Sequence, residues 1–257
     1  MALLQSPKAL LFDAFGICVD WRRTVTNSLY AHAHASLNSA TASVVNSWRN
    51  SYKKFTKSVA NDPALPWKTV DGHHLETLEQ LLSEWNLDGL WIDDEVRMMS
   101  LIWHRLEPWP DSAPGIKVLN KLPYTVTLSN GNLSLLSDLK SYGSMDFTRT
   151  FSAEQFESYK PSPSVYLGEV EKLGLKPPEC AMVAAHLTYL KAAKSHGLQA
   201  IYIERSLEED WSSEEIEVAK TEGRVDLWIP IDQAGFMTVA ESLGVDIASH
   251  MVFLRLK

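Results

Sequence analysis

Leu10-Leu11-Phe12-Asp13-Ala14-Phe15-Gly16 is the stretch that decides the fold. A short apolar run that ends in an acid, with a glycine soon after, reads as a buried strand delivering a carboxylate into a tight turn. Asp13 then stands at the carboxyl end of a strand, where open parallel α/β sheets carry their crevice and their chemistry. Alone, the run also fits an Asp that caps the next helix. The choice rests on whether later strands end in partners for the same carboxylate.

Downstream, the segment from Trp21 to about Trp109 changes character. Apolar residues recur at helical spacing over 23–37, 40–59, 70–85 and 93–106, with breakers at Asp62-Pro63, Pro66 and Leu87-Asp88-Gly89. Seven of the nine tryptophans fall in this block, which predicts a helical core with some rings, Trp21 and Trp48 among them, facing a pocket above Asp13. Pro108, Pro110 and Pro114-Gly115 read as a linker back. From there strand and helix alternate: strands over 124–128, 147–151, 180–185, 199–203 and 228–231, and helices through Leu139, over 162–173, 187–195 and 234–243. Strands separated by helices imply right-handed crossovers and a doubly wound parallel α/β sheet. The expected organisation is an α/β core of residues 1–20 and 110–257 with a helical cap of residues 21–109 inserted above the strand ends.

The strand ends carry Asp13, then Ser129 and Asn130, then Lys160 in a loop before a helix, then His186. An acid, a hydroxyl with an amide, and an ammonium in one crevice suit a carboxylate nucleophile, an ammonium that holds it ionised and oriented, and binders of a substrate carboxylate or carbonyl oxygen.

On these stretches the chain resembles the haloacid dehalogenase superfamily, and within it the type II 2-haloacid dehalogenase branch. The matching segments are LLFDAFG, WHRLEPWPDSAPG, TLSNGN, FSAEQFESYKPSPSVYLG and AMVAAH followed by LKAAKSHG, in the family's order and spacing. The resemblance implies a Rossmann-like core with a helical cap, Asp13 as nucleophile, Ser129 and Asn130 as binders of the substrate carboxylate, and Lys160 as the partner of Asp13. It implies Arg49, in Ser47-Trp48-Arg49-Asn50, as the cradle of a leaving halide.

Departures from the family pattern shape the functional expectation. Superfamily phosphatases carry a second Asp two residues after the nucleophile; here that position is Phe15, which points away from phosphate transfer. The usual Thr after Gly16 is Ile17. The fourth motif of this branch reads His, two residues, then Asp, whereas here it reads His186-Leu187-Thr188-Tyr189, and no acid occurs from Val183 to Ile203. Loss of that acid removes the group that activates water against the Asp13 ester, a contribution of about 10² to 10⁴ in rate. His186 remains as a candidate base. The expectation drawn here is a non-hydrolytic cyclase, lyase or isomerase of secondary metabolism, of cyclisation or pericyclic type. In it Asp13, Lys160, Ser129, Asn130, His186 and Tyr189 polarise a carbonyl, and Phe15, Ile17, Arg49, Trp48 and Trp21 line an apolar chamber. The alternative is a 2-haloacid dehalogenase-like hydrolase; a binding protein without catalysis is a third, weaker reading.

The totals bound the remaining classes. With 257 residues, 45% of them hydrophobic, the chain buries a large core, and a net charge of −8 without a basic run argues against a nucleic-acid partner. No apolar stretch approaches a membrane span, and the N-terminus lacks a signal-peptide core, so a cytoplasmic protein is expected. Cys18 and Cys180 read as buried, reduced thiols. No phosphate-cradling loop implies a nucleotide cofactor, and with only Asp13 left no metal site is expected. His32 and His34 do not share a helical face, and His73 and His74 are adjacent, so both pairs read as packing or solvated residues. Glu208-Glu209-Asp210 reads as a solvated loop, with a helix starting near Glu214-Glu215. A small-molecule substrate is the expected partner, and the tail Met251 to Lys257 reads as an edge strand or the contact of a homodimer.

Overall fold

The computed structural model describes residues 5–32, 41–62 and 64–247. Six strands form one parallel sheet: β1 (Ala9–Phe12), β2 (Tyr124–Ser129), β3 (Arg149–Ser152), β4 (Cys180–Ala184), β5 (Gln199–Ile203) and β6 (Leu227–Ile229). Their spatial order is β3-β2-β1-β4-β5-β6, so β1 is central and the winding reverses on either side of it. In register, Leu11 pairs with Val126 on one side and Met182 on the other. Ala9 to Phe12 and Cys180 to Ala184 are buried throughout, as strands covered on both faces require.

Between β1 and β2 the chain makes α1 (Trp21–His32), α2 (Thr41–Asn61), α3 (Val70–Glu84) and α4 (Asp93–Ser100), then a 3₁₀ turn over Leu101–Arg105. Thr69 caps α3 by accepting the Gly72 N–H. These helices pack through aromatic rings. Trp21 stacks on Trp103 at 5.9 Å, and Trp103 lies parallel to the His74 ring at 4.4 Å. The expected extension of the first helix to Leu37, His34, and the tail Met251 to Lys257 lie outside the described residues.

The rest of the chain covers the sheet with α5 (Ser112–Leu119), α6 (Leu133–Tyr142), α7 (Pro163–Lys172), α8 (Leu187–Ser195), α9 (Ser213–Thr221) and α10 (Phe236–Ser242). The first of these corrects the reading of Pro114-Gly115 as a linker. Pro114 sits in the first turn of α5, where its missing N–H leaves no helical bond unmade. Gly115 is the point where α5 meets α10: a Cβ there would come within 2.3 Å of Phe236 Cβ. The two residues that look like punctuation serve helix entry and close packing.

Candidate active site

Asp13 follows β1 directly and its N–H donates to the Val183 carbonyl of β4 at 3.0 Å, so the sheet itself fixes the carboxylate. Oδ1 is fully engaged. It accepts the Ala14 N–H at 2.9 Å, faces Lys160 Nζ at 2.7 Å, and lies 3.5 Å from Ser129 Oγ at the end of β2. Asn130, next in the chain, accepts the Lys160 N–H at 2.7 Å through Oδ1, while its buried Nδ2 has no hydrogen-bond partner among the described residues. Burial draws the Lys160 ammonium down from its ordinary range, and the Asp13 carboxylate works against that pull. The same ammonium sits 4.4 Å over the Tyr189 ring.

On the other side of Asp13, Oδ2 faces His186 Nδ1 at 3.8 Å, and the far nitrogen, Nε2, faces Glu208 Oε2 at 3.6 Å. His186 is 5% exposed and Glu208 3% exposed. The expectation of a solvated loop at Glu208-Glu209-Asp210 is therefore corrected for Glu208. The loop after β5 carries it inward, while the preceding Leu207 is 74% exposed with φ of +62°. Left-handed backbone costs a non-glycine residue about 1–2 kcal/mol. Periodicity gives no signal for Glu208, because it lies in an irregular loop where an apolar residue, Leu207, faces water and the acid turns inward.

Arg49 on α2 reaches the same crevice from the inserted helices. Its guanidinium carbon lies 4.9 Å from the Trp21 and Tyr52 ring centres and 5.6 Å from that of Phe15. The group is buried, and Nε and Nη1 have no hydrogen-bond partner among the described residues. Buried donors are ordinarily satisfied, so the two unused guanidinium nitrogens, walled by rings, are an open feature of the site. Phe15 is buried beside Arg49 and packs edge-on against Tyr52 and Trp103.

The remaining sequence-derived candidates fall as follows. Tyr189 stands edge-on to His186 at 5.6 Å, and burial pushes its phenol further above the ordinary range. Trp48 is fully buried between Trp103 and His74 and donates its indole N–H to the His74 carbonyl at 3.1 Å, which ties α2 to α3. Ile17 is buried, and its carbonyl accepts Arg205 Nε at 3.2 Å. A cavity of about 350 Å³ opens beside the centre, lined by Lys53, Lys57, Lys160, His186, Tyr189 and Asp210 among others. Among the described residues no group of three His, Cys, Asp or Glu side chains is placed to hold a metal ion, and no helix is long and apolar enough to cross a membrane. Cys18 and Cys180 are free and buried.

Comparison with known proteins agrees with this geometry. A family model described as haloacid dehalogenase-like hydrolase matches residues 7–197. The chain is 27% identical over 210 residues to (S)-2-haloacid dehalogenase 4A of Burkholderia cepacia, covering 79% of this chain and 85% of the relative. Among solved structures it is similar to the L-2-haloacid dehalogenase PA0810, with 34% identity, a TM-score of 0.72, and coverage of 80% of this chain and 89% of that one. It is also similar to the defluorinating L-2-haloacid dehalogenase Rha0230, with 27% identity, a TM-score of 0.78, and coverage of 95% and 100%. These relatives overturn the expectation of a non-hydrolytic cyclase, lyase or isomerase, and nothing in them supports an assignment to secondary metabolism. That expectation rested on the missing acid between Val183 and Ile203; the chain instead brings a buried carboxylate to His186 from residue 208.

Proposed function

The chain belongs to the haloacid dehalogenase-like hydrolase family, and from that premise we propose that it is a 2-haloacid dehalogenase working through an ester on Asp13. The observation that carries this reading is the asymmetry of the Asp13 carboxylate. Oδ1 is held by Ala14 N–H, Lys160 and Ser129, and Oδ2 is left without a hydrogen bond, facing His186 Nδ1 at 3.8 Å. A carboxylate gripped by one oxygen presents the other as a nucleophile. Oδ2 attacks the carbon bearing the halogen, the carbon–halogen bond breaks, and the halide leaves with the bonding pair. Arg49 receives it. The unused amide of Asn130 holds the substrate carboxylate, and Phe15, Trp21 and Tyr52 keep water away from the displacement.

Attack of water on the resulting ester then frees the 2-hydroxy acid. The reaction needs only water as co-reactant. Buried, reduced Cys18 and Cys180 support a cytoplasmic setting for it. The test is incubation with (S)- and (R)-2-chloropropionate, reading chloride. Sustained release from the (S) enantiomer, abolished in Asp13→Asn, is the expected result; absence of chloride from both enantiomers refutes the reading.

A further inference from the structure

His186 is an imidazole withdrawn from water, with neither ring nitrogen in a hydrogen bond among the described residues. Buried donors and acceptors are ordinarily satisfied. Its two nitrogens instead face two carboxylates, Asp13 at 3.8 Å and Glu208 at 3.6 Å, each just beyond hydrogen-bond length. The ring is a bridge with a small gap on either side.

The placement of Glu208 is itself built. The chain turns a leucine into water and the adjoining glutamate into the interior, against the usual partition of the two residue types. Both flanks of the loop are pinned. Arg22 donates to the Leu207 carbonyl at 3.2 Å, and Lys53 pairs with both oxygens of Asp210 at 2.8 Å. Glu209 accepts the N–H groups of Leu187, Asp210 and Trp211. Space is reserved for the carboxylate as well: a Cβ on Gly16, three residues after Asp13, would fall 2.2 Å from Glu208 Oε2 and 3.1 Å from His186 Cε1. The segment matched by the family model ends at residue 197, so Glu208 lies outside it.

We infer that Glu208, acting through His186, supplies the general base that frees Asp13 from its ester, taking over the work of the acid absent at Tyr189. This rests on the dehalogenase reading above. In the step, a water oxygen bonds to Asp13 Cγ and gives its proton to His186 Nδ1, while Nε2–H turns to Glu208. The tetrahedral centre collapses, the bond from Cγ to the ester oxygen breaks, and the departing alkoxide takes the proton back from His186. Asp13 is left as a carboxylic acid that ionises to solvent. Burial lowers the affinity of His186 for a proton, helped by Arg49, Lys53 and Lys160, so the ring stands neutral and able to accept. Burial raises that of the Glu208 carboxyl, against the pull of Arg49, which makes its anion the stronger base.

The experiment mixes enzyme with (S)-2-chloropropionate and follows chloride together with the intact mass of the protein. Wild type turns over continuously. Glu208→Gln is expected to release about one equivalent of chloride and then stall, heavier by the carboxyethyl group esterified to Asp13, with steady-state turnover lower by roughly 10² to 10⁴. His186→Asn, which leaves Glu208 in place, stalls at the same adduct, and Glu208→Asp recovers part of the rate. Steady turnover of Glu208→Gln at the wild-type rate without an adduct overturns the inference and leaves the dehalogenase reading intact. Wild type that releases no chloride overturns the dehalogenase reading and this inference with it.

Discussion

Lys160 Nζ stands 2.7 Å from Asp13 Oδ1, and both side chains are almost wholly withdrawn from water. Each ion is tolerable there because of the other. A buried charge without a partner costs far more than the pair contributes when intact.

Lys160→Met is therefore expected to destabilise the fold by about 3–5 kcal/mol, because it leaves Asp13 buried and unpaired. The double variant Asp13→Leu/Lys160→Met, which removes both charges, is expected to recover most of that loss. Urea denaturation of the wild type, both single variants and the double variant measures the coupling. Additive losses would show that the two groups act independently.

Arg49 makes a different prediction, on rate rather than stability. Lysine in its place keeps the charge but loses the planar group that lies among Phe15, Trp21 and Tyr52. Removing a donor aimed at developing negative charge costs about 10² to 10³ in rate, so Arg49→Lys should slow single-turnover halide release by about that factor. The deficit should shrink when bromide replaces chloride as the leaving group, since bromide needs less help. An equal deficit for both halides would assign Arg49 a packing role instead.

Much of this centre was legible in the sequence, and for one reason. In a doubly wound sheet, function gathers at the carboxyl ends of strands, so a strand recognised by its apolar run announces its own site residue. Asp13 after Leu10-Leu11-Phe12, Ser129 closing β2 and His186 just after β4 were all readable in that way. Lys160 was readable from its place in the motif order. Helix α5 was not, because Pro114 and Gly115 carry the same signature whether they end a helix or begin one; only contact with Phe236 decides. Glu208 was hidden for a related reason. Its burial is set by loop geometry and by partners more than a hundred residues away in sequence, Arg22 and Lys53, and no local pattern encodes that.

His104 joins the inserted helices to the core and carries a pH dependence. Nε2 meets Asp71 of α3 at 3.0 Å and Nδ1 meets Asp138 of α6 at 2.8 Å. Burial works to lower its affinity for a proton, but the hydrogen bonds to Asp71 and Asp138 prevail and raise it. A histidine whose folded value lies above its unfolded one stabilises fully below the unfolded value, near 6.5, and loses that contribution as pH rises through the folded value. The melting temperature should thus fall as pH rises from the unfolded value near 6.5 through the folded one, by about 2–4 °C for each kcal/mol lost in a chain of this size. In His104→Gln that part of the slope should vanish. A slope unchanged in the variant would mean that other groups set it.

Gly16 links the displacement half of the site to the hydrolytic half, and its replacement separates them. Its φ of +86° disfavours any side chain, and an added Cβ would collide with Glu208 Oε2 at 2.2 Å and crowd His186. Lys160 and Ser129 approach Asp13 through its other oxygen, so the grip on the nucleophile stays in place. Gly16→Ala is expected to lose about 1–2 kcal/mol of stability from the backbone term. Its effect on turnover should be larger, because Glu208 must move away from His186. In single-turnover measurements, chloride release should slow less than disappearance of the mass of the Asp13 ester does. Were the two steps slowed alike, the damage would lie in the Asp13 loop itself, and Gly16 would be only a turn residue.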